Sequence, residues 1–304
     1  MEPTTAAAVA EQATLVPQFN WISWLVIAAY IIFTTWLGHV LSGKQQTIRD
    51  FFIGGRRLPW WAVSGSIIAT EISAVTLVSV PGYLWAVTGN ITYAVIAVGN
   101  ILGRILVALW FIPTYYQRDI YSPYEYIGHQ LGPVAQRTTS YLFMIGGMLA
   151  QGSRVLLTAI ILQVITGLDI YVSIWIVGFV AVAWTYMGGI VTVIWTDVIQ
   201  FAIFLAAAVL MLVLTLVALG EAGVSAADVW AAAHDAGKTR WYHPDWWDVR
   251  QSFTLTSGLV AATIVALAAY GTDQLLVQKA FCCRDARAAQ WAIISSCIGQ
   301  GIMF

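Results

Sequence analysis

Apolar residues run along this chain in long continuous stretches, not at the spacing of an amphipathic helix or an alternating strand. Residues 21–41 contain no Asp, Glu, Lys or Arg. Residues 60–80 are interrupted by one charge, Glu71; 91–112 carry Arg104, and 139–167 carry Arg154. Residues 170–187, 198–219 and 253–272 are uncharged, and an eighth stretch opens near Ala288 and runs to Phe304. A helix that crosses a bilayer needs about 20 apolar residues, at about 1.5 Å per residue across about 30 Å of hydrocarbon. The pattern therefore predicts an all-α membrane protein with seven complete spans and an incomplete eighth.

Composition supports the bilayer. Of the 304 residues, 60% are hydrophobic and 10% charged. Soluble domains carry about 25% charged residues, and a soluble surface could not be covered with so few. The net charge of −1 gives no basis for binding nucleic acid or for a polybasic anchor. Three cysteines, Cys282, Cys283 and Cys297, are too few and too clustered for a disulfide framework and read as reduced thiols. Residues 1–20 are rich in Ala, Thr and Glu and lack a basic run, which predicts a short extracellular tail, not a cleaved signal.

Lys and Arg in the connections orient the spans. With the first span entering from outside, the connections 42–59, 113–138, 188–197 and 273–287 face the cytoplasm and hold nine basic residues, against three outside. That predicts an external N-terminus and a multi-pass inner or plasma membrane protein. The long external connection, 220–252, contains a short helix over 225–236 with Ser225 as N-cap and Asp228 three residues on. Its histidines and aspartates (His234, Asp235, His243, Asp245) match no metal-ligand spacing, and WYHPDWW reads as an aromatic surface at the interface.

Charges at membrane depth are where chemistry is sought, because each is expensive in hydrocarbon. Arg104 and Arg154 fit either helix packing with a partner or a solute and ion route. Glu71 lies within SGSIIATEISAVT, where Ser64, Ser66, Thr70, Ser73 and Thr76 supply hydroxyls that can satisfy backbone groups freed by unwinding. Interrupted helices at the midplane are where secondary transporters bind ions and solutes. Hydroxyls used only for helix packing explain the segment equally well. In GGIVTVIWTDVIQ, Gly188–Gly189 breaks a span and Asp197 can cap the helix that follows. TDQLLVQK (272–279) reads alone as a polar helix terminus.

Taken in order, FFIGGRRLPWW (51–61), SIIATEISAVT (66–76), TGLDIY (166–171), GGIVTVIWTDVIQ (188–200) and TDQLLVQK resemble the sodium/solute symporter family, from about residue 20 to the end. The resemblance implies a leucine-transporter-like core of two inverted five-helix repeats behind one extra N-terminal helix, 21–41. Repeat one would occupy 60–219, and 253–304 would begin repeat two with two helices, the second cut short. It implies a broken helix at 60–80, with the backbone carbonyls of Ala69 and Ile72 holding Na+ as the coupling ion. Ser73, Thr76 and Gln300 would face the solute, Asp197 would mark the cytoplasmic ion route, and Arg154 falls where polar or charged groups recur. No cofactor is implied; the partners are Na+, a small solute and the lipid bilayer.

Two departures qualify the likeness. The hydroxyls that complete the family's sodium site belong to a later helix, so this piece would be inactive alone. Thr76 stands where sugar carriers place an amide, and Ala266 and Ala269 fill sugar-facing positions. A polyhydroxylated solute left without partners is strongly rejected. The expected solute is thus a small anion, carboxylate or amino-acid-like molecule rather than a sugar. The alternatives are a channel or structural membrane subunit, or a membrane-embedded enzyme. The chain has no TVGYG-like filter, and its four histidines are scattered, with no HExxH or GxSxG.

Overall fold

The computed structural model describes residues 20–42, 47–72 and 74–303. The expected tail at 1–19 lies outside them. All regular elements among these residues are helical. Helix α1 (Trp21–Ser42) begins on Asn20, whose side-chain oxygen accepts from the Ile22 and Ser23 amides. Thr47 and Asp50 form a reciprocal capping box on the short α2 (Ile48–Ile53). The following Gly54, Gly55 and Arg56 all take positive φ, which turns the chain sharply into α3. Glycine adopts that backbone at little cost. Arg56 is held there by Asp119 at 2.7 Å and by the Tyr116 ring. FFIGGRRLPWW is the sequence of this corner.

The stretch 60–80 is not one helix. α3 (Trp60–Glu71) ends at Ile72, which is extended (φ −90°, ψ 122°), and α4 (Ala74–Tyr83) begins beyond it. A π-turn (Leu84–Thr88) and a bend at Gly89 then lead into α5 (Val95–Leu106), a second π-turn (Val107–Phe111) and α6 (Ile112–Gln117). After α7 (Pro123–Leu131), α8 (Pro133–Thr166) closes on Gly167 at φ 73°, and Asp169 caps the next helix through the Tyr171 amide. TGLDIY is therefore a helix–helix corner, built from a left-handed glycine stop and an aspartate start.

α9 spans Ile170–Glu221 with one break, at Gly189 (φ 56°, ψ −164°). The break falls where the glycine pair predicts it, but the connection expected over 188–197 is helical instead. In a hydrocarbon setting a continued helix keeps its amides paired, whereas a loop would leave them exposed. Asp197 consequently lies two turns inside the second arm and caps nothing. The short helix α10 (Ala226–Asp235) has the expected capping box between Ser225 and Asp228. A π-turn (Ser257–Ala261) and α11 (Ala262–Gly271) precede α12 (Gln274–Phe281), the two arms meeting at 57°. α13 (Ala286–Met303) is the last helix. Residues 273–287 were expected to be a loop. α12 occupies most of them, because Asp273 restarts the helix by capping the Leu275 amide.

Among the described residues, three helices are long and apolar enough to cross a membrane: Thr92–Gln117, Pro133–Thr166 and Gly189–Glu221. The bent pair around Thr272 passes the same test, and Trp21–Leu37 and Ile170–Ala183 are shorter apolar helices. Apolar side chains along the second arm of α9 face outward, with Leu210 57% and Leu214 58% exposed, as a lipid-facing surface requires. The core instead gathers around the interrupted helix. Ala62, Val63 and Ile67 of α3 pack with Ile194 of α9, Ala280 of α12, and Ala289 and Ile293 of α13. Where α12 ends, the Leu58 amide donates to the Cys282 carbonyl (3.1 Å), and all three cysteines are free and buried.

Candidate functional site

Two charged clusters hold the last turns of α3 before the interruption. The first holds Glu71, the last residue of α3. Arg104 of α5 donates through Nη2 to Glu71 Oε2 (2.5 Å), through Nη1 to Ser296 of α13 (2.5 Å) and through Nε to Asn100 (2.9 Å). It also bonds Tyr270 of α11, and the Tyr270 hydroxyl in turn donates to Glu71. Arg104 is fully buried. Both intramembrane charges thus have partners, and each partner sits on a different helix. A buried pair is tolerable only when its remaining donors and acceptors are satisfied, as they are here.

The second cluster was only half visible in the sequence. Asp197 Oδ2 accepts from Ser66 Oγ (2.5 Å) and from Lys279 Nζ (2.5 Å). The Lys279 ammonium also reaches Ser66 Oγ (2.8 Å), the Ser66 carbonyl (3.2 Å) and the Thr70 hydroxyl. Lys279, expected in a connecting loop, is buried instead. Its place in the ion pair follows from the bend at Thr272, which folds α12 back toward α3. A lysine some eighty residues from its carboxylate carries no local signal of pairing.

Three hydroxyls of this segment, Ser64, Ser66 and Thr70, tie α3 to its neighbours. Ser64 accepts from Ser295 of α13 (2.9 Å), Ser66 serves Asp197 and Lys279, and Thr70 donates to the Ser66 carbonyl (2.8 Å). All three lie in regular helix before the break, so they do not satisfy unwound backbone as expected. The break follows Glu71: the Ile72 amide still takes the Ile68 carbonyl (3.0 Å), and Ala69 lies in the last turn of α3.

Other residues singled out in the sequence are placed less centrally. Thr76 is half-buried in α4, one turn beyond the break. Ser73 lies outside the described residues; Gln300 lies in α13, but its side chain is likewise outside them. Arg154 is exposed on α8 and, with Gln151, lines a cavity of about 520 Å³. That cavity is also walled by Thr70, Gly189, Asp197, Gln278 and Lys279. Ala266, expected to face solute, is buried against α5: a Cβ on Gly103 would lie 2.5 Å from its methyl. The small residues Gly99, Gly103 and Gly258 let α5 and the α11 arm approach this closely.

An interrupted helix, its first arm tied by two ion pairs inside an apolar helical shell, defines a multi-pass membrane protein with a leucine-transporter-like fold. Residues 51–304 match the sodium:solute symporter family, and the chain belongs to that family. It is 29% identical over 287 residues to the human sodium/iodide cotransporter, covering 93% of this chain and 43% of that protein. A sodium/sialic acid symporter of Proteus mirabilis (strain HI4320) is 32% identical over 196 residues, 64% of this chain and 39% of that one. Human sodium-coupled monocarboxylate transporter 1 is 27% identical over 278 residues, 90% and 43% of the two chains. The chain spans less than half the length of these curated relatives. A solved structure of a Na+-coupled sialic acid symporter in a substrate-bound outward-open state superposes with a TM-score of 0.83 at 25% identity, covering 94% of this chain and 58% of that one.

Proposed function

We propose that the protein to which this chain belongs is a secondary carrier that couples Na+ entry to uptake of a small solute by alternating access. One observation carries the reading: α3 stops at Ile72 in mid-stretch, in a chain of this family, with two charged ties holding the turns just before the stop. Carbonyl oxygens released at such a stop are hard ligands suited to Na+, and Ala69 and Ile72 are the residues that present them. Thr76, Ser73 and Gln300 are the proposed solute-facing positions, with Asp197 on the ion route and Arg154 at its mouth. The domain plan follows: one extra helix at 21–41, a first repeat at 60–219 and the start of a second at 253–304. The N-terminus is placed outside a plasma or inner membrane by the excess of Lys and Arg on the other face.

A small anion or carboxylate is the favoured solute class. Relatives are named for iodide, monocarboxylates and sialic acid, and Thr76 stands where sugar carriers of the family place an amide. The relatives' names all describe carriers, which favours transport over catalysis. The test is uptake of iodide, short monocarboxylates and sialic acid into proteoliposomes holding the complete polypeptide, with an inward Na+ gradient or an equal N-methylglucamine gradient. Uptake of at least one solute should require Na+. Equal rates under the two gradients for every solute would remove the sodium-coupled reading.

A further inference from the structure

A second cavity, of about 350 Å³, shares no residue with either ion pair and lies where the membrane-crossing helix Thr92–Gln117 ends. Its walls are Trp110, Phe111 and Tyr115 of that helix, Tyr126 and Ile127 of α7, and Thr272 at the bend between α11 and α12. Ligand sites run from about 300 to 1,000 Å³ and are mostly apolar and aromatic, as this one is. Its rim meets the outer surface, where Trp110 is 64% and Leu109 56% exposed. On a helix that crosses the bilayer such a surface faces lipid, so the cavity opens toward acyl chains. Apolar walls of this kind hold no water, and wall atoms without neighbours lose dispersion contacts that a hydrocarbon chain restores.

Hydrocarbon alone would not select this place, because an acyl chain is equally well surrounded in the bilayer. Selection needs a polar contact, and Arg118 is placed to make it. It follows the last residue of the span, about 6 Å beyond Thr114 at about 1.5 Å per residue, comparable to the depth of the headgroup layer. Its guanidinium lies over the ring of Tyr126, a wall of the cavity, at 4.9 Å. Arg49 and Arg56 both pair with Asp119, whereas Arg118 meets no carboxylate among the described residues, and its Gln130 neighbour is neutral. The geometry points to a phospholipid site: an acyl chain among Trp110, Tyr115 and Ile127, with the lipid phosphate on Arg118. Guanidinium and phosphate match through parallel N–H donors. The site also touches the bend. The Tyr115 hydroxyl donates to the Gly271 carbonyl (2.8 Å), and a Cβ on Gly271 would lie 3.1 Å from Phe111. A chain in the cavity therefore backs the two side chains that meet α11 where it turns by 57° into α12. None of this depends on the coupling ion or the solute.

The test uses the unmodified complete polypeptide in nanodiscs of phosphatidylcholine and phosphatidylglycerol, with a trace of phosphatidylglycerol carrying a mid-chain diazirine. After illumination, peptide mass spectrometry locates the label. Residues 110–127 should be labelled several-fold more than the exposed apolar stretch 210–217 of α9. Even labelling, or none at 110–127 because another part of the polypeptide covers the cavity, would overturn the inference. A diacylglycerol with the same diazirine chain, lacking only the phosphate headgroup, should label 110–127 several-fold less; equal labelling would overturn the assignment to a phospholipid. Arg118→Gln, an exposed change, should lower phosphatidylglycerol labelling to the diacylglycerol level. Ile127→Trp, which fills the cavity, should abolish labelling at 110–127 and spare 210–217. Undiminished labelling in either variant would also count against the site. If Ile127→Trp fails to fold, Arg118→Gln and the two probes decide.

Discussion

Glu71 closes α3 and meets Arg104 of the neighbouring α5 at 2.5 Å, so the interrupted helix ends on a buried ion pair. A carboxylate there opposes the helix dipole, whose C-terminal end is already negative. Arg104 offsets both charges while binding α11 through Tyr270 and α13 through Ser296. The pair fixes where the first half-helix stops relative to three other helices. Glu71 acts on the break by position, since its side chain is committed to Arg104 and Tyr270.

Removing one partner should therefore harm more than removing both. Arg104→Met leaves Glu71 as an uncompensated buried charge, which typically costs about 3–5 kcal/mol. The double variant Glu71→Leu with Arg104→Met removes the stranded charge and should recover most of that loss. Thermal unfolding of the purified complete polypeptide in detergent measures it. A double variant no more stable than the worse single one would show that the pair is not the source of the penalty.

Close approach of α5 to the α11 arm makes a second, steric prediction. A Cβ on Gly99 would fall 1.8 Å from the Gly258 carbonyl oxygen, a backbone atom that cannot swing aside. Gly146, on α8, has nothing within 4 Å of the same construction. Gly99→Ala should destabilise by about 1–3 kcal/mol or more through overpacking, and Gly146→Ala by far less. Comparable melting temperatures for the two variants would contradict the contact.

The short helix α10 offers a test in pH. Hydrogen bonds from the Ser225 hydroxyl and amide hold the Asp228 carboxyl below its ordinary value of 3.8. The sign follows from linkage: a carboxylate with a lowered folded pKa stabilises the folded form above its unfolded value, and that contribution fades as pH falls through the lowered one. Amide exchange in 226–235 should therefore speed up, relative to its intrinsic rate, once pH drops below about 3.8. Ser225→Ala should raise exchange at neutral pH and flatten the dependence. An unaltered profile in that variant would mean the capping box contributes nothing measurable.

How much of this could be read from residues depended on range. The capping box at Ser225 and the break at Gly189 rest on neighbours in the chain, where residue type limits backbone geometry directly, whereas the break at Ile72 and the corner at TGLDIY came into view through the family resemblance. Glu71 and Arg104 were conspicuous as charges in apolar stretches, yet nothing near either names the other. Lys279 was hidden more completely. Apolar length counting assigns a lysine after a span to the surface, and only the 57° fold between α11 and α12 carries it inside. The loop expected at 188–197 failed for a related reason: a glycine pair signals a break in direction, and here the chain bends at one residue and continues as helix.

That bend at Gly189 is the most economical place to disturb the ion-pair cluster without touching it. Gly189 has φ 56° and ψ −164°, a region open in practice only to glycine, and any side chain there costs about 1–3 kcal/mol of backbone strain. The residue also walls the cavity beside Asp197 and stands two turns before it on the same arm. Gly189→Ala must either keep the bend and carry the strain or relax the bend and rotate Asp197 away from Ser66 and Lys279. Both routes predict lower thermal stability. Only the second also weakens Na+ dependence, so melting temperature and half-saturating Na+ measured together distinguish them. A Gly189→Ala protein equal to the original in both would show that the bend tolerates a side chain and does not position Asp197.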